Sequence, residues 1–127
     1  MKKLLVPVMV LILVGAAAWA QTPNPSGQVS GQWMQQCWLS YQKVDAGNGD
    51  QLSRFLAQWY IGFVTGVTNV MADADWVDPG DTTPAQWFAV VGKYLDDHPE
   101  QWNIKAAALV YRALHAAWPG SKISPYQ

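Results

Sequence analysis

One stretch near the middle of the chain, residues 52–72, limits the possible folds most strongly. It reads LSRFLAQWYIGFVTGVTNVMA, and after Arg54 it carries no charged residue until Asp73. Large apolar side chains recur in it at the spacing of one helical face: Phe55, Leu56, Trp59, Phe63, Val67 and Val70. Glycine costs about 1 kcal/mol relative to alanine inside a helix, so Gly62 and Gly66 predict that a second helix packs closely against another side. We therefore expect this helix to lie in the middle of an all-α bundle.

The same stretch approaches the length of a membrane span, which needs about 20 apolar residues. Gln58, Thr65, Thr68 and Asn69 lie within it, and no basic residues follow it directly. These features favour a buried core helix, and we expect no membrane span in the mature protein.

The first twenty residues have the pattern of a secretory signal peptide. Lys2 and Lys3 precede an apolar run over residues 4–18, and Ala18-Trp19-Ala20 provides a small-x-small cleavage site. Cleavage after Ala20 predicts a periplasmic protein, whereas an uncleaved signal would tether the chain to the membrane.

The charge of the mature chain argues against nucleic-acid binding. Removal of the signal leaves six basic and nine acidic residues, a formal net charge of −3, and there is no basic run. About a hundred residues form one domain with a modest core. The seven tryptophans left after cleavage are many for that size, and they favour either a well-filled core or a binding surface.

Helix start and stop signals divide the mature chain into four helices. Residues 21–31 are predicted to be a flexible leader, residues 32–120 the helical domain, and residues 121–127 a C-terminal tail. The first helix is expected from about residue 29 or 32 to 43, with Trp33, Cys37, Tyr41 and Val44 on one face. The central helix follows a turn, and Asp50 is its expected N-cap.

The third and fourth helices have their own signals. Thr83, Pro84 and Gln86 fit a capping box with proline in the first helical position. The third helix should then run over residues 84–96, and its apolar set is Trp87, Val90, Val91, Tyr94 and Leu95. The fourth is expected from Pro99 to Ala117, and its inward set is Trp102, Ala106, Leu109, Val110, Ala113, Leu114 and Ala117. The predicted fold is a compact bundle of about four helices.

No combination of residues indicates an active site. Cys37 with His98 or His115 would be needed for a thiol nucleophile, but no local signature supports that pair. A buried structural thiol is the favoured interpretation of Cys37, and an intermolecular disulfide remains open. His98 is expected to cap the fourth helix, and His115 to lie on its exposed polar side. We expect no enzyme activity, cofactor or metal.

The connection at residues 73–83, DADWVDPGDTT, has four aspartates and no cation. Counted from Asp73, an EF-hand would need glycine at position 78 and glutamate at position 84, where the chain has Asp78 and Pro84. A solvated acidic loop is therefore favoured, although a looser calcium site stays open. Trp76 lies at its centre, either exposed as an aromatic anchor or folded into the core.

The C-terminal half resembles the Rap/Tai family, the immunity proteins for type VI secretion amidase effectors. The resemblance is carried by VVGKYLDDHPEQWNIKAAALVYRALHAAWPG, with a Tyr-Leu-x-x-His-Pro run at residues 94–99. The segment GFVTGV, Gly62 to Val67, is similar to another family motif. The family-motif residues expected to be structural are Gly62, Gly66, Tyr94, Leu95, His98, Pro99 and Pro119. The resemblance extends over about residues 33–120.

The chain departs from the family in its cysteines. The family commonly has two disulfides, but only Cys37 is kept here, Tyr60 stands where its partner is expected, and Gly120 replaces a cysteine. Bridges worth roughly 2–4 kcal/mol each are therefore lost, and tryptophan packing is expected to compensate for them.

The resemblance implies a periplasmic protein, often dimeric, that binds a peptidoglycan amidase toxin and blocks its cleft. No catalytic residue is then required. We expect the partner-binding surface to comprise Asp73, Asp75, Trp76, Asp78 and Asp81. The alternative is a periplasmic helical binding or chaperone-like module without toxin specificity.

Overall fold

The structure, a computed structural model, describes residues 28–74 and 80–119, with only the backbone for residues 72–74. Its helices are α1 (Gly31–Asp45), α2 (Gln51–Ala74), α3 (Pro84–Asp97), a 3₁₀ helix (Pro99–Gln101) and α4 (Ala106–Ala117). Among these residues the one extended pairing is an isolated bridge between Ser30 and Lys105. The predicted all-α bundle is confirmed.

Two helices begin at the residues that the sequence predicts. The backbone N–H of Ser53 donates to Oδ1 of Asp50 at 2.7 Å. The hydrogen bonds from the side chain and the backbone of Ser53 hold the pKa of Asp50 below its ordinary value. At α3 the N–H of Gln86 donates to Oγ1 of Thr83 at 3.3 Å, and Oε1 of Gln86 accepts from the N–H of Thr83 at 2.8 Å. Pro84 occupies the first turn, where its missing N–H costs nothing.

Residues 29–31, at the end of the predicted leader, are joined to the segment before α4. The N–H of Gly31 donates to the carbonyl of Ile104 at 2.9 Å, and the N–H of Ala106 donates to that of Val29 at 2.8 Å. Ser30 also caps α1. These bonds join the start of α1 to the start of α4, while the predicted domain boundaries remain predictions.

The core lies between all four α-helices and contains side chains from each. Cys37 is fully buried, as the sequence predicts. The buried apolar residues are Met34, Cys37, Trp38, Ala57, Tyr60, Val64, Met71, Phe88, Val91, Leu95, Ala106, Leu109, Val110, Ala113 and Leu114.

The predicted apolar face of α2 is correct only in part, because four of its six residues pack against the edge of the core. Phe55 is 64% exposed and Val70 is 73% exposed, and the other four members of that face are only half-buried. The helix instead buries the residues about a quarter-turn away: Ser53, Ala57, Tyr60, Val64, Thr68 and Met71. The buried hydroxyls of Thr68 and Tyr60 are hydrogen-bonded: Oγ1 of Thr68 donates to the carbonyl of Val64 at 2.7 Å, and the hydroxyl of Tyr60 donates to the carbonyl of Phe88 at 2.8 Å.

The expectation of a helix close against Gly62 and Gly66 is also wrong. Both glycines are exposed, and a Cβ added to either would have no described neighbour within 4 Å. α2 therefore contributes one face to the core, and its glycine side is uncovered by the described residues.

The segment after α3 differs from the prediction of a continuous fourth helix. Pro99 begins a single 3₁₀ turn, and α4 starts only at Ala106. Trp102 lies between them, and its indole N–H donates to the carbonyl of Leu95 at 2.8 Å. This bond folds the chain back on α3 between the 3₁₀ turn and α4. At the other end Ala117, which was expected inside, is exposed.

The apolar set predicted for α3 is correct in part. Val91 and Leu95 are buried, but Trp87, Val90 and Tyr94 are half-buried, and Phe88 and Gly92 complete the core face instead. None of the described helices is both long and apolar enough to cross a membrane.

Candidate functional site

The acidic segment between α2 and α3 is the predicted partner-binding surface. Asp73 lies within the last turn of α2, which continues to Ala74, so the predicted loop starts too early. Asp75, Trp76 and Asp78 lie outside the described residues. Asp81 is described and exposed.

The C-terminal end of this segment is attached firmly to α3. Gly80 has a φ of +91°, a left-handed conformation that glycine adopts without strain. Oγ1 of Thr82 accepts from the indole N–H of Trp87 at 2.9 Å, and Thr83 follows with its capping box. The aspartate-bearing segment is thus connected at both ends to regular helices, an arrangement that suits a recognition loop.

Within residues 28–74 and 80–119 no group of three histidine, cysteine, aspartate or glutamate side chains could hold a metal ion. Asp75 and Asp78 lie outside the described residues, and of Asp73 only the backbone is described. Among the described side chains there is therefore no ligand set for a metal ion.

Cys37 is unsuited to act as a nucleophile. Burial raises the pKa of its thiol to about 12, whereas a reactive cysteine needs a lowered pKa. Both histidines make contacts other than with this thiol. Nδ1 of His98 bonds the carbonyl of Tyr94 at 2.8 Å. The ring of His115 packs on Tyr111 at 4.3 Å.

His115 also departs from its predicted exposed position. It is half-buried, and its Nε2 atom is buried without a hydrogen-bond partner among the described residues. The side of α4 that was expected to be fully solvated is therefore partly covered.

The family-motif residues at the end of α3 form a hydrogen-bonded corner. The rings of Tyr94 and His98 stack with centroids 3.9 Å apart, and the hydroxyl of Tyr94 donates to Oε1 of Gln101 at 3.1 Å. Arg112 of α4 donates to the same oxygen at 3.0 Å. His98 was expected to cap the following helix, but its side chain instead bonds within the last turn of α3.

The remaining motif residues differ in their surroundings. Leu95 is fully buried beside this corner, and Pro99 starts the 3₁₀ helix. Pro119 is exposed just after α4, and Gly62 and Gly66 are exposed on α2. The corner residues therefore hold α3 and α4 together, while the two glycines have no such role among the described residues.

Asp96 forms a link between α1 and α3 that sequence reasoning missed. Its two carboxylate oxygens accept from Nε2 of Gln35 at 2.8 Å and from the indole N–H of Trp38 at 3.0 Å. The neighbouring Asp97 instead pairs with Lys93 on the surface at 2.7 Å. An aspartate in the last turn of a helix opposes the helix dipole, and this unfavourable position was the available signal that Asp96 serves another purpose.

Tyr60, the residue at the expected position of the missing cysteine, is fully buried. Its ring lies 5.6 Å from those of Trp38 and Tyr41 and 6.2 Å from that of Phe88. Burial, with smaller contributions from Tyr41, Asp96 and Cys37, raises the pKa of its hydroxyl. An aromatic cluster thus occupies the place where the resemblance led us to expect a disulfide.

A family comparison fits this helical frame. The model of a family described as Rap1a immunity proteins matches residues 30–120. A search among individually curated proteins gave no match. The matched range begins at the Ser30 cap of α1 and includes every described helix.

Proposed function

The chain belongs to the Rap1a immunity proteins, and we propose that it protects the periplasm by binding a peptidoglycan amidase toxin of a type VI secretion system. The carrying observation is the family match over the whole described domain. The family's immunity-type function against effectors implies a protein partner.

The proposed mechanism is steric occlusion of the toxin's cleft. Immunity proteins of this family are generally non-enzymatic, so the partner surface needs shape and charge but no catalytic group. The surface we assign consists of Asp73, Asp75, Trp76, Asp78 and Asp81. Four carboxylates favour a basic surface on the toxin, and a tryptophan is a frequent anchor at the centre of an interface.

The helical frame supports this assignment. α2 ends beyond Asp73, and Thr82 and Thr83 attach the following residues to α3. Holding both ends of a recognition loop reduces the entropy lost when it binds. The described aspartate Asp81 is exposed, as a contact residue must be.

The test combines toxin protection and binding. The full chain is produced with its signal in cells that also export a candidate amidase effector of the same organism to the periplasm. We expect protection from lysis, co-purification of the two proteins and inhibition of peptidoglycan hydrolysis in vitro. A chain lacking residues 1–20 should fold but fail to protect, which tests the proposed periplasmic location.

Variants separate the loop from the frame. Trp76→Ala combined with Asp75→Lys and Asp78→Lys should weaken amidase binding at least tenfold, about 1.4 kcal/mol, with unchanged helicity by circular dichroism. Glu100→Lys, a charge reversal on the exposed 3₁₀ helix, is the matched control. Unchanged amidase affinity in the loop variant would show that the surface is assigned wrongly.

We also propose that the protein forms a homodimer. Size-exclusion chromatography of the same samples tests this oligomeric state.

A chaperone-like module is the second candidate because several large apolar side chains are exposed. Leu39, Leu52, Phe55 and Val70 are each more than half exposed. Such a module would retain many unrelated periplasmic proteins weakly, whereas an immunity protein would retain one amidase tightly. Mass spectrometry of proteins captured from the periplasm distinguishes the two functions.

A further inference from the structure

A groove of about 510 Å³ lies between the C-terminal half of α1 and the N-terminal half of α3. On the α1 side it is lined by Trp38, Tyr41, Asp45 and Ala46, and on the α3 side by Ala85 and Ala89. Asp81, the member of the predicted acidic surface whose side chain is described, is not among the lining residues. A volume of this size can accommodate one long side chain of another protein.

The aromatic wall of the groove is held in place by the core. Tyr41 stacks on Trp38 with ring centroids 5.6 Å apart and an interplanar angle of 17°. Trp38 is itself fixed by its hydrogen bond to Asp96, and Tyr41 also packs on Tyr60 and Phe88. The groove therefore has a preorganised π surface, which attracts a cation at its face.

The charge at the rim is negative. Asp45 is the charged residue of the lining, and no hydrogen bond or ion pair joins its carboxylate to another described residue. Burial, followed by the negative charge of Asp45, raises the pKa of Tyr41, so the carboxylate lies near that ring. α1 ends at Asp45 with Ala46 as its C-cap, which adds the negative end of the helix dipole.

These three features select the chemistry of the occupant. A guanidinium is planar, so it can stack on Tyr41 and pair with the carboxylate of Asp45 at the same time, whereas an ammonium cannot stack. The exposed alanines of α3 leave space for the methylene chain of such a residue. We propose that this groove binds an arginine side chain on the surface of the partner protein. The inference depends on the proposed function only for the identity of that protein.

The groove can be tested without the partner. The probe is the peptide acetyl-Gly-Arg-Gly-amide, and its control is the same peptide with citrulline, which keeps the shape but has no charge. In a two-dimensional NMR titration of the full-length mature protein, the arginine peptide should shift the Trp38 indole signal and the amides of residues 41–46 saturably. The citrulline peptide should bind at least about threefold more weakly. Equal binding of both peptides, or no saturable shift at these signals, would overturn the proposal.

Two substitutions test the residues. Asp45→Asn should weaken binding of the arginine peptide about threefold to tenfold, while Glu100→Gln removes an exposed carboxylate elsewhere and should change nothing. Ala89→Leu should fill the groove and abolish the shifts, with Ala107→Leu, at an exposed position of α4, as its control. Full binding by either groove variant would refute the assignment.

The same variants separate this inference from the immunity function. If Asp45→Asn and Ala89→Leu also weaken amidase binding, both proposals are supported. If amidase binding is unchanged, the groove is not the contact for this partner, although the immunity function stands. If the arginine peptide binds but no amidase is retained, the groove stands and the immunity proposal fails.

Discussion

Glycine to alanine substitutions at two helical positions should have opposite effects on stability. Gly92 of α3 lies against the indole of Trp38, and a Cβ added there would be 2.5 Å from Cε3 and closer still to two other ring atoms. Gly62 of α2 is exposed, and its added Cβ would have no described neighbour within 4 Å. Because the chemical change is the same, the second position is a control for the first.

The expected free energies follow from these surroundings. At Gly62 only helix propensity changes, so alanine should stabilise the fold by about 1 kcal/mol. At Gly92 the same gain of about 1 kcal/mol is opposed by overpacking of about 2 kcal/mol. A displaced Trp38 would also weaken its bond to Asp96, which costs about 1 kcal/mol more. We therefore expect Gly92→Ala to destabilise by about 2 kcal/mol, so that the two variants differ by about 3 kcal/mol.

Urea unfolding followed by circular dichroism at 222 nm measures both differences. In a domain of this size, each kcal/mol should move the melting temperature by about 4–8 °C, and the near-ultraviolet signal of tryptophan should change in Gly92→Ala alone. A Gly92→Ala protein as stable as the wild type would show that the close packing of Trp38 on α3 is wrong. A destabilised Gly62→Ala protein would show that the exposed glycine side of α2 is covered in solution.

Two further predictions concern the hydrogen-bonded carboxylate of Asp96 and the buried thiol of Cys37. Asp96→Asn should destabilise the fold by about 1–2 kcal/mol because it removes one of the two oxygen acceptors for Gln35 and Trp38. Asp97→Asn should cost less than about 1 kcal/mol because its ion pair with Lys93 is exposed. Equal losses of the two variants in chemical denaturation would contradict this assignment. Burial raises the pKa of the Cys37 thiol to about 12, so above about pH 9 the unfolded chain loses a proton that the folded chain keeps, and stability falls as the pH rises. Between about pH 9 and about pH 12, the unfolding free energy of the wild type should fall more steeply with pH than that of Cys37→Ala. The difference between the two slopes should be up to about 1.4 kcal/mol per pH unit. The comparison removes the contribution of the tyrosines common to both proteins, and parallel curves would refute the buried thiol.

The helix starts were predictable because their signals are local. Asp50 and Thr83 accept hydrogen bonds from residues three positions later. Such bonds depend on a few neighbouring residues and hardly on the rest of the fold. The burial of Cys37 was equally accessible, since a lone thiol on an apolar helix is usually structural.

The orientation of α2 could not be predicted from hydrophobicity alone. The most apolar side of the helix includes Phe55 and Val70, yet the core side includes Ser53 and Thr68. The Thr68 hydroxyl is satisfied by the carbonyl of Val64 in its own helix, so its burial costs little. Polar residues that are satisfied in this way can occupy core positions, and periodicity does not reveal them.

The start of α4 depends on contacts distant in sequence. Trp102 bonds the carbonyl of Leu95, and the backbone of residues 104–106 bonds that of residues 29–31. Neither pairing has a local signature, although Pro99 correctly indicates that helical backbone begins there. The partner of Asp96 was hidden for the same reason, because Gln35 lies 61 residues away.

The positions of the family-motif residues limit what the family match implies. Tyr94, Leu95 and His98 make contacts inside the chain, and Pro99 starts the 3₁₀ turn that connects α3 to α4. These residues identify the scaffold, because their loss would disturb the fold whichever protein it binds. We therefore propose that discrimination between partners comes from exposed residues outside this corner, such as Asp81 and, in the α1–α3 groove, Asp45 and Ala89. A substitution in the corner should reduce stability and binding together, whereas one at these exposed positions should reduce binding alone.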